Sequence, residues 1–223
     1  MRNLRVMSCL AVLASALAAQ TTNGTIQASG SATIASQPDQ AQFTVSVNTQ
    51  GTTAQDAAQQ NATLATAVIN ALKAAIGANG SVVTIAYSVS PRYNNASPPA
   101  IVGYQASNTV QVTSYNLVTI GSLIDTATQA GGSNVSGISF GLQNPDPVLQ
   151  QALGLAAKQA MAHAAAIAGG LGAKAGAVIS ALQGAASTPL PVAAGSVATT
   201  TPIETGTVNV TGTVTVMVQL IPQ

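Results

Sequence analysis

The C-terminal segment constrains the fold of this chain more than any other part of the sequence. From residue 208 to residue 220 apolar and polar side chains alternate, which is typical of a β-strand with one buried and one solvated face. Such a long strand needs neighbouring strands for its backbone and a covering layer for its apolar face. The chain must therefore build a sheet, and an unpaired edge of this length would pair with either a neighbouring strand or another subunit. The apolar positions are Val208, Val210, Val214, Val216, Val218 and Leu220.

Further strands and three helices are predicted along the chain. Two strand-helix-strand units precede a long alanine-rich helix and the C-terminal strand. This order predicts an α+β fold, with a mixed, largely antiparallel sheet and three main helices packed on it. The strands are expected at residues 25–34, 82–89, 102–113, 135–142 and 175–182, and the helices at residues 53–76, 117–130 and 146–169.

Local signals mark the starts of two helices. Thr53 is followed three positions later by Asp56, which is the pattern of a capping box. Asp146 is followed by Pro147, which predicts an N-cap residue and a first-turn proline. The long third helix has a face built mostly of alanine and leucine, at Leu149, Ala152, Leu153, Ala156, Ala160, Ala164, Ile167 and Leu171.

The N-terminus has the features of a secretory signal peptide. Arg2 and Arg5 precede a short apolar run, and small residues follow at Ala16, Ala18 and Ala19. We therefore expect residues 1–19 to be removed and residues 20–223 to form one domain in the periplasm or outside the cell. Cleavage would also remove Cys9, the single cysteine. No later segment is long and apolar enough to predict a membrane span, and residues 184–201 are predicted to be a flexible loop.

The low charge of the chain excludes several classes of function. Charged residues make up 5% of the sequence, and the formal net charge is +1. Binding to nucleic acid depends on clusters of Lys and Arg that neutralise phosphates, so no nucleic-acid partner is expected. The polar surface must instead consist mainly of Ser, Thr, Asn and Gln.

The sequence contains few groups that could support catalysis. His163 is the single histidine, and its helical neighbours are alanines, so we expect a structural or surface role. One histidine and a cysteine-free mature chain are too few ligands for a typical zinc site. The carboxylates fit turns and helix starts, and Gly170-Leu171-Gly172 follows a helix, which is the reverse of a dinucleotide-binding loop. We predict no catalytic residues, no metal and no cofactor.

One small group of residues is a candidate binding patch. Arg92, Tyr93 and Tyr104 are expected near one loop between two strands, with Tyr87 close by in the sequence. Aromatic residues at strand ends are more often packing residues than ligand contacts. The patch is therefore predicted as a possible ligand or interaction surface.

Several short motifs follow one another in a specific order. They are Ile26-x-Ala28-x-Gly30-x-Ala32-x-Ile34, Pro38-Asp39-x-Ala41-x-Phe43, Ser90-Pro91-Arg92-Tyr93, Gly103-Tyr104-x-Ala106, Leu123-Ile124-Asp125, Ile138-x-Phe140, Leu171-Gly172 and Thr201-Pro202-Ile203-Glu204-x-Gly206. In that order they resemble the SIMPL domain family of bacterial envelope proteins, and the similarity extends over nearly the whole mature chain. His163 differs from the resembled helices, which usually carry Lys or another charged residue there.

The resemblance implies an exported, non-enzymatic protein of the bacterial envelope. It also implies a role in oxidative-stress or envelope-stress defence, a tendency to self-assemble into a homo-oligomer, and contacts with other envelope proteins. The family brings no agreed catalytic residues and no cofactor. The resemblance also favours pairing of the C-terminal strand with the alternating segment Gln40–Thr49 inside the domain, with assembly through other surfaces. Two alternatives stay open at this point: a periplasmic small-ligand-binding protein that uses the region of Arg92, Tyr93 and Tyr104, and a hydrolase with an unrecognised site.

Overall fold

A computed structural model describes residues 24–185, 190–192 and 205–222 of the chain. The predicted signal peptide and most of the predicted loop 184–201 lie outside these residues. The elements are β1 (Thr25–Ser36), β2 (Gln40–Gly51), α1 (Ala54–Ile76), β3 (Gly80–Tyr93), β4 (Ile101–Ser114), a 3-10 turn (Leu117–Thr119) leading into α2 (Ile120–Gln129), β5 (Asn134–Gly141), α3 (Asp146–Gly170), β6 (Ala173–Gln183), β7 (Leu190–Val192) and β8 (Thr207–Pro222).

The predicted α+β class with three main helices is confirmed, and the strands divide into two antiparallel sheets. Sheet A has the order β1-β8-β6, and the short β7 also pairs with β8. Sheet B has the order β3-β4-β2-β5. Helix α3 packs on sheet A, whereas α1 packs on sheet B and contacts α2.

The predicted partner of the C-terminal strand is wrong. β8 pairs with the whole of β1, from Thr25 opposite Gln219 to Ser36 opposite Val208, and with β6 on its other side. β2 pairs with β4 and β5 instead. Alternation identifies a strand with one buried face, but it does not specify which of several alternating strands lies beside it.

The two sheets differ in how the chain builds them. Sheet B and its two helices come from one continuous segment, between Gln40 and Gly141. Sheet A combines β1 from the N-terminal side with α3 and later strands from the C-terminal side. The sheet B unit is thus inserted between β1 and α3.

The two predicted helix starts have different outcomes. The backbone N–H of Asp56 donates to Thr53 Oγ1 over 3.1 Å, which confirms Thr53 as the N-cap of α1. Asp146 lies in the first turn of α3, whose N-cap is Pro145, so its predicted N-cap role is wrong. Asn144 Oδ1 accepts the N–H of Asp146 over 3.1 Å, because an Asn side chain can satisfy the backbone two residues further on.

The two sheets are covered by different kinds of side chain. Large residues fill the core of sheet B, at Phe43, Val45, Val47, Val68, Leu72, Ile120 and Leu123. Alanines fill the core of sheet A, where α3 turns Ala156, Ala160, Ala164 and Ala168 toward Ile26, Ala28 and the valines of β8. The four-residue spacing of the alanines keeps them on one face of the helix.

Candidate functional site

The three residues of the predicted patch lie in the long hairpin formed by β3 and β4, here called the β3–β4 hairpin (Gly80–Ser114). Arg92 and Tyr93 end β3, and Tyr104 lies near the start of β4. The predicted loop from Pro91 to Pro99 is shorter in the structure, because β3 continues to Tyr93 and pairs there with Ile101.

The hairpin places Arg92 and Tyr104 on opposite faces of sheet B. Arg92 pairs with Gly103, and Tyr104 is the next residue along β4, so their side chains point in opposite directions. Tyr104 shares its face with Gly51, where an added Cβ would lie 2.6 Å from the backbone nitrogen of Ala57 in α1. Tyr104 is therefore on the helix-covered face, and Arg92 is on the open face.

Arg92 has a neutral hydrogen-bond partner on the open face. Its Nη1 donates to Oε1 of Gln50 in β2. Gln50 lies opposite Gln105, and Gln105 lies opposite Ser90, so the interaction crosses the width of three strands. The amide acceptor leaves the positive charge of Arg92 uncompensated, and an anionic or aromatic partner could approach this side chain.

Several large apolar side chains of the β3–β4 hairpin are exposed to solvent. Tyr93 is 57% exposed and Val102 is 56% exposed at its far end. Val83 and Tyr87, both more than half exposed, pair with Gln111 and Asn108, which are three residues apart on β4. They therefore lie on opposite faces of the hairpin, so both faces carry exposed apolar side chains.

The turn of the hairpin is closed by its own hydrogen bonds. The N–H of Asn94 donates to the carbonyl of Ala100 over 2.9 Å. Asn94 Oδ1 accepts from the N–H groups of Ala96 and Ala100. These hydrogen bonds order the turn, and Tyr93 and Ile101 lie on either side of it at the ends of the two strands.

Charge is scarce along the same segment. Between Lys73 and Asp125 the sequence contains one charged residue, Arg92. The edge strand β3 thus carries a single charge, near its end, and has few of the charged side chains with which many proteins prevent contact at sheet edges. The β3–β4 hairpin is the best candidate for an interaction surface among the described residues.

The described carboxylates take structural positions. Asp39 Oδ1 accepts the N–H of Gln143 over 2.6 Å and links the start of β2 to the segment after β5. Asp56 Oδ2 accepts from Thr52 Oγ1 at the start of α1. Among the residues that the structure describes, no group of three or more His, Cys, Asp or Glu side chains could hold a metal ion.

His163 has a backbone partner that its sequence neighbours did not indicate. The side chain is exposed on α3, and its Nδ1 lies 2.7 Å from the carbonyl oxygen of Ser29 in β1. Because a carbonyl oxygen can only accept, Nδ1 carries the hydrogen. Beside it lies an open cavity of about 440 Å³, lined by Gln27, Ala28, Ser29, His163, Ala166 and Ile167.

Sequence reasoning missed the roles of two amide side chains. Asn61 is fully buried in α1, and its Nδ2 donates to the carbonyls of Val47 and Ala106, which joins the helix to two strands of sheet B. Gln159 accepts the N–H of Ser31 over 2.7 Å. A polar residue on the apolar face of α1 was a signal for Asn61, whereas nothing local distinguishes Gln159 from other exposed glutamines.

Comparison with known proteins identifies relatives over most of the chain. It is 28% identical over 153 residues to the 26 kDa periplasmic immunogenic protein of Brucella melitensis biotype 1, and equally to the protein of the same name from Brucella abortus. The alignments include 66% of this chain and 61% of each relative. In the described part of the chain, no helix is long and apolar enough to cross a membrane.

A family model gives the broader match. Residues 26–218 match the SIMPL model, which is described as a protein of unknown function (DUF541). This range contains every strand and helix of both sheets except the first residue of β1 and the last residues of β8. The chain therefore belongs to the SIMPL family.

Proposed function

We propose that this chain is an exported, non-enzymatic envelope protein that acts through protein contacts made by the β3–β4 hairpin. The names of the relatives support a periplasmic location, since both are called periplasmic immunogenic proteins. The N-terminal signal sequence supports the same location. The contacts include self-assembly into a homo-oligomer and binding to other envelope proteins, in defence against oxidative or envelope stress.

The observation that carries this proposal is the exposed apolar surface of the hairpin. Monomeric proteins seldom leave large apolar patches uncovered. Here Val83, Tyr87, Tyr93 and Val102 are each more than half exposed, and they lie on a strand pair at the side of sheet B. Because these side chains lie on both faces, a partner that enclosed the hairpin would remove apolar area from water, which is the main source of association free energy.

The distribution of reactive groups supports a non-enzymatic role. A Ser-His-Asp triad places a carboxylate at Nδ1 of its histidine, whereas Nδ1 of His163 donates to the backbone carbonyl of Ser29. Asp39 and Asp56 are hydrogen-bonded in local structural positions. Asp39, Asp56 and His163 thus each hold local structure in the described part of the chain.

Self-assembly is tested by native mass spectrometry of the mature protein beginning at Gln20. We expect the wild type to form a defined oligomer and the double variant Tyr87→Ser, Tyr93→Ser to be mainly monomeric. The matched control is Val178→Ser, Ile179→Ser on β6, because these side chains are each 50% exposed but lie in the other sheet. A wild type that stays monomeric, or a control that dissociates equally, would overturn the role of the hairpin in assembly.

The stress role needs a test in cells. A strain that lacks the gene should survive peroxide less well than its parent, and expression of the wild type should restore survival. Expression of the Tyr87→Ser, Tyr93→Ser variant should restore less. Equal survival of all strains would contradict the role in oxidative-stress defence without affecting the assembly experiment.

The alternative function is binding of a small ligand near Arg92. It is favoured by one observation, the position of the Arg92 guanidinium on the open face, where it donates to the neutral amide of Gln50. This alternative predicts that a small anionic or aromatic ligand raises the melting temperature of the wild type, because a ligand that binds the native state stabilises it. The rise in melting temperature should be lost in Arg92→Gln. The oligomeric state of the wild type should be the same with and without the ligand.

A further inference from the structure

The edge of β1 that faces away from β8, here called the free edge, is a place where a second chain could add to sheet A. Among the described residues, β1 pairs with β8 on one side and ends the sheet on the other. Its sequence is nearly symmetrical about Gly30: Ser29 and Ser31 flank it, then come Ala28 and Ala32, and Ile26 and Ile34 complete the pattern. A strand with this symmetry can pair with its own copy in an antiparallel arrangement and match like side chains.

The direction of the backbone groups agrees with such a pairing. The N–H of Leu220 in β8 donates to the carbonyl of Gly24, so the backbone N–H and C=O groups of the even-numbered residues of β1 point toward β8. The backbone groups of the odd-numbered residues therefore point toward the free edge. In a pair centred on Gly30, the Ser29 carbonyl of one strand would accept the Ser31 N–H of the other.

Helix α3 occupies these same two groups. His163 Nδ1 donates to the Ser29 carbonyl over 2.7 Å, and Gln159 Oε1 accepts the Ser31 N–H over 2.7 Å. The two side chains are four residues apart and so lie on one side of the helix. Each fills one of the hydrogen-bonding positions that an added strand would use at the centre of symmetry.

Helix α3 packs so closely on β1 that it limits which partners could reach this edge. A Cβ at Gly30 would lie 2.2 Å from the carbonyl oxygen of Ala156 and 2.5 Å from the nitrogen of Ala160. The helix thus lies directly over the centre of β1. Paired strands are about 4.8 Å apart, whereas packed helices need about 8–10 Å, so two fully folded copies cannot join through this edge. An extended β1 segment that carries no docked helix can fit.

We propose that Gln159 and His163 form a latch that closes the β1 edge against the β1 segment of an incompletely folded second copy. The latch competes with strand addition because it bonds the same carbonyl and the same N–H. The cavity beside His163 is lined in part by Gln27, so the edge next to the latch is open to solvent. This role concerns sheet A alone and does not depend on the β3–β4 hairpin.

The test uses a labelled synthetic peptide with the β1 sequence TIQASGSATIAS and the folded mature protein. Fluorescence anisotropy should show that Gln159→Ala, His163→Ala binds this peptide at least about tenfold more tightly than the wild type, since two competing hydrogen bonds are removed. Circular dichroism checks that the double variant is folded. If it is not, each single variant tests one bond, with an expected increase of about threefold.

Conservative and control variants separate the latch from a general effect on the helix. His163→Asn keeps an N–H donor near the position of Nδ1 and should bind the peptide as weakly as the wild type. Gln151→Ala, an exposed glutamine on α3 that lies two turns before Gln159, should also leave peptide binding unchanged. A scrambled peptide of the same composition should not bind any variant.

Two results would overturn the proposal. The first is a double variant, or a pair of folded single variants, that binds the β1 peptide no more tightly than the wild type. The second is a wild type that binds it as tightly as the double variant, which would show that the two side chains do not close the edge.

Discussion

The helices pack on the two sheets through side chains of different size. In sheet B, α1 and α2 meet the strands through Phe43, Leu72 and Leu123, each no more than 1% exposed. In sheet A, α3 meets the strands through alanines, and its backbone approaches closely at Gly30. Sheet B should therefore be sensitive to the loss of side-chain volume, whereas sheet A should be sensitive to its gain.

The largest expected effect is the removal of β8. This strand lies between β1 and β6 and supplies Val208, Val210, Val216 and Val218 to the buried face of sheet A. Burial of one such side chain stabilises the native state by about 1.5–3 kcal/mol, and the total stability of a domain is about 5–15 kcal/mol. A chain that lacks residues 206–223 should lose cooperative unfolding in circular dichroism and elute as an expanded or aggregated species in size exclusion.

A soluble truncated protein with one sharp melting transition would contradict this prediction. It would mean that sheet B, which is one continuous segment, carries nearly all of the cooperativity. Sheet B would then fold on its own, and sheet A would add little to its stability.

Truncation of Phe43 to Ala should destabilise the protein by about 3–5 kcal/mol, because the cavity left in a core of large side chains cannot close fully. Urea denaturation followed by circular dichroism gives the change. Phe140→Ala is the matched control, since this side chain is partly buried at the margin of the same core and should cost less. Equal losses at both positions would show that the sheet B core is not packed around Phe43.

Enlargement of Gly30 to Ala should destabilise the protein by about 1–3 kcal/mol, because the new methyl group would meet the backbone of α3 rather than a flexible side chain. Gly154→Ala is the control, since an added Cβ at this position of α3 has no atom within 4 Å. The control should be neutral, or more stable by up to about 1 kcal/mol, because Ala favours a helix. Equal stability of Gly30→Ala and the wild type would refute the close approach of α3.

The smallest expected effect is at the start of α1. Thr53→Ala removes the oxygen that accepts the Asp56 N–H, which should cost about 1 kcal/mol of unfolding free energy. Thr53→Ser keeps the oxygen and should cost little. The pair is measured by urea denaturation, and a Ser variant as unstable as the Ala variant would assign the loss to the missing methyl group of Thr53 instead.

The candidate site was predicted less completely than the fold. The sequence drew attention to Arg92, Tyr93 and Tyr104, and the structure places all three on one hairpin. It separates Arg92 from Tyr104, however, because adjacent positions of a paired strand face opposite sides. The exposure of Val83 and Val102 could not be read from the sequence, since exposed and buried valines in a strand look alike until their covering layer is known.

The sequence by itself determined the class of the main helices and long strands, whereas the short β7 lies inside the segment predicted as a loop. Alternation over residues 208–220, the alanine stripe of the third helix and the Thr53 cap each depend on residues only a few positions apart, so local pattern was sufficient. Tertiary structure alone decided that β8 pairs with β1 rather than β2, and that His163 and Gln159 bind backbone groups of β1. These contacts join residues more than 100 positions apart, and many strands and polar side chains could satisfy the same local requirements. The choice among them depends on which faces fit when the whole core is packed.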